Sequence, residues 1–354
     1  MQSRGRRTGW QGGNHGAGRA DHSVLRAHHP GRLGLVGRGS DAVADGGVDR
    51  AHRGAAVLEG VGGARVSRAR YLPGYLLYRV LSGIFGLLPE PIMRRTGEGL
   101  GWLLSFVAGE RRQMSARHLR RVAGEGADVD RLARQAFASY GRYWAETFWV
   151  RPRRLAAMAE HISIEGDDIV RAHRDQGGLI LALPHLGNWE AAGIEAINLG
   201  LDLVAAAESL PNPLISDWFI AQRAVFGIDV VLVKAGASTE LLSRLQEGKS
   251  LALPSDRDLK GRGVAVTFFG EETTLPAGPF VLAKRTGSPV LPVATYFRRG
   301  RGHHFVVRPP LDGEASVGEM AQQLAGHFED FIRAHPTQWH LLQPLWPSDR
   351  EEPM

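Results

Sequence analysis

The 354-residue chain predicts an α/β fold: a mostly parallel central sheet flanked by helices, with further helices lying at a membrane interface on its N-terminal side. Three observations carry this. Short apolar runs alternate with helical segments through the second half of the chain, as in successive βαβ units. One run, Leu179–Leu183, is five apolar residues between Gly178 and Pro184. It is too short for a buried helix and continuous enough for a strand covered on both faces. Finally, the apolar, aromatic-rich stretch Tyr71–Leu88 is broken by Arg79, the pattern of a helix lying in an interface rather than spanning it and equally that of an N-terminal helical hairpin packed on the domain.

Composition narrows the chemistry. There is no Cys, which excludes disulfides, thiolate nucleophiles and Cys-ligated metals. The net charge of +6 suits phosphorylated partners or an anionic membrane surface. Helix-turn-helix, zinc-finger and RNA-binding signatures are absent, so nucleic acid is not an expected partner. No run reaches about 18 uncharged apolar residues, so no spanning helix is expected. A zinc-hydrolase His-Glu-x-x-His, a nucleophile-elbow Gly-x-Ser-x-Gly and a Walker loop are all missing, and no metal site is expected.

Taken in order, residues 1 to 70 contain no Phe, Tyr, Ile or Lys and are rich in Gly, Arg, Ala and His. Such a segment buries too little apolar area to offset its ordering entropy. Residues 1–67 are therefore read as disordered, or as upstream sequence translated from a start codon placed too early. A single domain is expected over 68–346, with a tail over 347–354. A second apolar run, Leu100 to Val107, follows basic Arg94 and Arg95, and a basic helical stretch covers Arg111 to Val122. Residues 129 to 149 form an amphipathic helix with Leu132, Phe137, Tyr140, Trp144 and Phe148 on one stripe and Asp128 as N-cap. Strands are expected at Leu179–Leu183, Leu203–Ala207, Val230–Val233, Leu251–Leu253, Val264–Phe269, Val290–Tyr296 and Phe305–Arg308. Helices are expected near 165–175, 189–199, 213–225, 237–247 and 278–286, with a closing helix over 316–334 ended by Pro336.

The turn after Leu183 gathers the chemistry. Pro184 cannot donate to a ladder and ends the strand, which leaves His185 at its carboxyl end, where open α/β sheets bind ligands. Gly187 allows a tight turn, Asn188 caps a helix from Trp189, and Glu190 in the first turn can reach back to the imidazole. Asp256, Arg257 and Asp258 follow the strand that ends at Pro254, and Glu208 follows the one that ends at Ala207. All four share the His185 rim if the strands are parallel. The acid-Arg-acid triplet reads equally well as a solvated salt-bridge loop.

Pro-His-Leu-Gly-Asn-Trp-Glu, residues 184 to 190, resembles the His-x4-acid signature of glycerolipid acyltransferases. More narrowly, it is similar to the form in actinobacterial phosphatidylinositol mannoside acyltransferases, and less closely to that of the lipid A acyltransferases. Asp256-Arg257-Asp258 followed by Gly-Val-Ala-Val-Thr-Phe-Phe-Gly (263 to 270) and Leu-Pro-Ala-Gly-Pro (275 to 279) continues the resemblance, as does Gln338-Trp-His-Leu-Leu-Gln-Pro-Leu-Trp346. The chain departs from the family at Glu190 (Asp expected), His118 (Asn expected) and Asp256 (Glu expected). The resemblance implies a long-chain, palmitoyl-type acyl transfer from acyl-CoA, a co-substrate rather than a bound cofactor, to a mannose hydroxyl. His185 would be the general base, with Glu190 and Asp256 as its acids. Arg223 would stand near the acyl donor, and Arg262 and Arg285 would suit coenzyme A phosphates. A peripheral position on the cytoplasmic face of the cell membrane follows. The alternatives are a lipid A-type enzyme using acyl carrier protein and a non-catalytic lipid-binding protein. Trp339 and Trp346 are read as structural.

Overall fold

The computed structural model describes residues 68–258 and 261–351. The reading of residues 1–67 lies outside them. Four helices come first: α1 (Leu72–Leu87), α2 (Glu90–Val107), α3 (Gly109–Ala123) and α4 (Val129–Trp149). Pro73 opens α1, Pro91 opens α2, and Asp128 accepts from the Arg131 amide at 3.0 Å to cap α4. A short α5 (Leu155–Ala159) leads into the sheet.

Seven strands lie in the order β1 (Ile162–Glu165), β9 (His303–Val307), β8 (Val290–Phe297), β2 (Ile180–Leu183), β5 (Ser250–Pro254), β3 (Leu203–Ala207) and β4 (Asp229–Leu232). From β8 to β4 every pairing is parallel, whereas β9 runs antiparallel to β8 and carries β1 with it. The connecting helices are α6 (Asp167–His173), α7 (Trp189–Asn198), α8 (Pro213–Val225), α9 (Ala237–Gln246), α10 (Gly278–Thr286) and α11 (Val317–Ala334). Asn212 and Ser316 cap α8 and α11, the latter with a full capping box to Glu319.

β2 sits in the middle, and all four of its residues are buried. Its side chains alternate between two cores. Ile180 and Ala182 pack with α9, α10 and α11 through Leu241, Phe280 and Phe328, while Leu181 and Leu183 join Val170, Ala196 and Val293 on the other face. Both faces are therefore covered, as the unbroken apolar run requires.

The sequence reading needs three corrections. Val264–Phe268 (β6) does not enter the central sheet; it pairs antiparallel with Glu271–Leu275 (β7) as a separate hairpin. β7 and the edge strand β1 were not expected at all. Residues 347–351 are not a loose tail. Ser348–Glu351 forms a helical turn, α12, whose Asp349 is buried and accepts from the Leu345 and Trp346 amides and from Arg121 at 2.9, 3.1 and 2.9 Å.

α2 reaches α4 through glycines. A Cβ on Gly97 would lie 2.4 Å from the Ala145 Cβ, and one on Gly101 would lie 2.1 Å from the Phe137 carbonyl oxygen. Backbone therefore meets backbone, and the outward face of α2 carries its apolar side chains. Leu100, Trp102, Leu103, Leu104, Phe106 and Val107 are all exposed.

Candidate active site

The register of the central strands builds the site. Leu183 of β2 stands beside Pro254 of β5, so the second residue past each, His185 and Asp256, emerge together at the carboxyl rim. Asp256 is fully buried, and its Oδ1 lies 2.6 Å from His185 Nδ1. Oδ2 accepts from the His185 amide at 2.9 Å and from the Trp339 indole at 2.9 Å. Three donors thus meet one carboxylate. Burial alone would raise the Asp256 pKa, but His185 and the Trp339 hydrogen bond outweigh it and hold it below the usual range. For His185, burial opposes the charged form, yet Asp256 prevails and pushes the imidazole up. The carboxylate also fixes the tautomer. With Nδ1–H donating to Asp256, Nε2 keeps its lone pair for a ligand.

The turn carrying His185 is held from behind. Gly187 has φ +59°, and a Cβ there would stand 2.2 Å from the Thr295 carbonyl oxygen. The Gly187 amide donates to the Gln338 carbonyl at 2.9 Å, and the His340 amide donates to the His185 carbonyl at 2.8 Å. Asn188 caps α7 through the Ala191 amide at 3.1 Å, and its Nδ2 donates to Glu146 Oε2 at 2.7 Å. Glu146 is itself buried among Arg142 (2.8 Å) and His303 (2.8 Å). Burial would raise its pKa, but these two partners bring it down to about 2. A fully ionised buried hub on α4 thereby positions the cap of the helix that follows His185.

Glu190 stands elsewhere than the sequence suggests. Instead of reaching back to His185, it accepts from Arg223 of α8 at 2.5 and 3.0 Å and from the Tyr143 hydroxyl at 3.5 Å. The guanidinium fork matches a carboxylate through two parallel bonds, and the single imidazole N–H already belongs to Asp256. Burial disfavours the charge on Arg223, but Glu190 more than compensates and raises its pKa.

His185 and Glu190 face a cavity of about 770 Å³ that also takes in Arg223, Glu208, Arg257, Asp258, Arg262 and Arg285. Asp256 is the one candidate that does not line it and stands behind His185 instead. Arg257 and Glu208 form an ion pair at the rim. Asp258 Oδ2 accepts from the Gly263 amide at 2.6 Å and from the Thr274 hydroxyl at 3.0 Å, which ties the loop after β5 to the hairpin. The buried lining includes apolar Phe219 and Ile228, whereas Arg262 and Arg285 are exposed.

Four residues of the site were missed. Arg111 and Tyr143 line the cavity; Arg111 belongs to the basic helical stretch, which gave no sign of the direction it faces. Trp339, read as structural, holds the buried acid. His340 lines the cavity with Nε2 2.9 Å from the Ser139 hydroxyl, and burial together with the His185 charge pushes it down to about 3. The only signal for the last two was their place in the C-terminal Trp-His pair.

The arrangement suits a reaction in which a neutral imidazole takes a proton from a hydroxyl, beside a basic mouth for anionic groups and an apolar depth for an alkyl chain. The family model for bacterial lipid A biosynthesis acyltransferases matches residues 65–348. A phosphatidylinositol mannoside acyltransferase of Mycobacterium tuberculosis is 39% identical over 246 residues, 67% of this chain and 77% of that protein. One of Mycolicibacterium smegmatis is 33% identical over 299 residues, 81% of this chain and 93% of its own. The chain belongs to the bacterial lipid A biosynthesis acyltransferase family and is an acyltransferase.

Proposed function

We propose that the protein moves a palmitoyl-type acyl chain from acyl-CoA to a mannose hydroxyl of a phosphatidylinositol mannoside. The His185–Asp256 pair, set where a basic cavity mouth meets an apolar depth, is the observation that carries this reading. The names of the relatives support the acceptor.

In this mechanism Nε2 of His185 takes the hydroxyl proton, and Asp256 stabilises the imidazolium that forms. The alkoxide oxygen bonds to the thioester carbonyl carbon, the C–S bond breaks, and the coenzyme A thiolate recovers the proton from His185. No acyl-enzyme is formed. Holding donor and acceptor together at the rim supplies much of the rate through orientation. Arg262 and Arg285 bind coenzyme A phosphates, and the Glu190–Arg223 pair shapes the wall between donor and acceptor.

The protein works as a peripheral enzyme on the cytoplasmic face of an anionic membrane. Among the described residues no helix is long and apolar enough to cross a bilayer. Thirteen of the seventeen exposed large hydrophobic side chains among the described residues nevertheless belong to α1 and α2, a concentration that marks an interaction surface. Purified protein incubated with palmitoyl-CoA and the mannoside lipid should release free thiol and give an acylated mannoside by mass spectrometry. Thiol release that ignores the acceptor, or transfer only from acyl carrier protein, would refute this assignment of substrates.

A further inference from the structure

Beside the last turns of α1, Arg79 of that helix and three arginines of the segment after α4 form a basic cluster that the proposed reaction does not use. Arg151 donates to the Ser82 carbonyl at 2.8 Å and the Ser82 hydroxyl at 2.9 Å, and to the Phe148 and Val150 carbonyls at 2.7 Å each. Arg154 donates to the Gly86 carbonyl at 2.8 Å and the Trp149 carbonyl at 2.7 Å. Two guanidiniums thus satisfy carbonyls near the end of α1, where positive charge is favoured. Arg79 and Arg153 stand close by and are exposed. Burial is the first cause that lowers the pKa of Arg151, with Arg153 and Arg79 adding to it. For Arg154 it is burial, then Arg153 and Arg151.

Among the described residues, none of these four arginines has a carboxylate within ion-pair distance. The other clustered arginines are paired: Arg121 with Asp349 and Glu271, Arg142 with Glu146, and Arg301 with Glu90. Four mutually repelling guanidiniums without a counter-ion form a site whose missing member is an anion. Its surroundings decide which anion. Val80, Ile84 and Leu87 lie on the adjoining face of α1, with Leu87 82% exposed. With Leu72, Leu76 and Leu77 they form an apolar stripe of roughly 140° at about 100° per residue, and Arg79 falls at its edge. A soluble anion or a nucleic acid would leave that stripe in water. A lipid would cover it while placing its phosphate at the arginines.

We infer that Arg79, Arg151, Arg153 and Arg154 form a seat for the phosphate of an anionic glycerophospholipid, so that α1 docks on the bilayer by its stripe and by this site together. The inference rests on the peripheral-membrane reading and adds where the headgroup charge is recognised. The exposed guanidiniums of Arg79 and Arg153 present planar forks to phosphate oxygens, while Arg151 and Arg154, whose Nη atoms already donate to the fold, add positive charge behind them.

Co-sedimentation of the full chain with vesicles tests it. The wild type is compared on phosphatidylcholine vesicles and on phosphatidylcholine–phosphatidylinositol vesicles, beside Arg79→Gln/Arg153→Gln and a control pair of equal charge loss, Arg244→Gln/Arg333→Gln. Arg79 and Arg153 make no ion pair among the described residues, so the thermal midpoint should hold. Each basic residue near an anionic surface contributes roughly a factor of five, so the cluster variant should partition about 30-fold more weakly onto anionic vesicles, the control pair losing far less. The wild-type preference for anionic vesicles should fade with salt. Equal losses in both pairs would reduce the effect to net charge and overturn the seat, as would undiminished binding by the cluster variant or a preference for transfer RNA over vesicles. Failure of the wild type to bind either vesicle would remove the membrane reading itself, a result distinct from the first three.

Discussion

Nδ1 of His185 lies 2.6 Å from a carboxylate that is fully buried, and that contact controls when the imidazole can act as a base. Asp256 raises the His185 pKa above the ordinary value, and only the neutral ring accepts a proton. Activity should therefore fall as pH drops through that raised value. In Asp256→Asn the raising charge is gone and burial remains, so the acidic limb of kcat/KM should move to lower pH while its plateau falls. A limb that stays in place would show that Asp256 does not tune the base. His185→Ala should lose about 10²–10⁴-fold in turnover, with its thermal midpoint nearly kept. For Glu190→Gln the expected pattern differs, because its partner is Arg223: KM should rise with little displacement of the pH limb. The His185 and Asp256 positions were legible in the sequence because Pro184 and Pro254 mark strand ends. Their pairing came only from the family resemblance, since pattern alone does not make β2 and β5 neighbours in the sheet when 71 residues separate the two side chains.

At the scale of the elements, local pattern found the strands but not always their partners. Val264–Phe268 alternates like any half-buried strand, and alternation is the same in a hairpin as in the central sheet. Glu-Glu-Thr-Thr-Leu in β7 is too polar to announce itself. β1 is a four-residue edge strand without a fully buried side chain, so it offered little apolar signal. The α2–α4 crossing was equally hidden. Gly97, Gly101 and Gly141 read as helix weakeners until the facing backbone is seen. Gly101→Val should therefore destabilise the protein by about 1–3 kcal/mol, since the atom in the way is the Phe137 carbonyl oxygen rather than a movable side chain. Calorimetry that finds a stabilised protein, as helix propensity alone would suggest, would contradict the close crossing.

Across the whole molecule, the C-terminal segment ties distant parts together. Asp349 anchors it to His118 at 3.1 Å and to Arg121 of α3, while Trp339 reaches Asp256. Burial works against the Asp349 charge, but His118 and the Leu345 amide outweigh it and hold the carboxyl well below its usual range. A depressed carboxyl adds stability above its unfolded pKa and loses it as pH falls toward the folded one, so this anchor should fail only in acid below about pH 4. Asp349→Ala should cost at least about 1–3 kcal/mol, because it strands the Leu345 and Trp346 amides and His118, while Arg121 keeps Glu271. It should also lower turnover by loosening Trp339, and a urea titration with a parallel activity assay would show whether the two losses coincide. The same closure has a consequence for biosynthesis. A chain is made from its N-terminus and its domains begin to fold during synthesis at about 5–20 residues per second, yet the indole that holds Asp256 arrives 83 residues after it. The nascent protein on the ribosome should therefore carry His185 for several seconds without a settled partner, and ribosome-bound chains stalled before residue 339 should remain inert toward the proposed acyl donor.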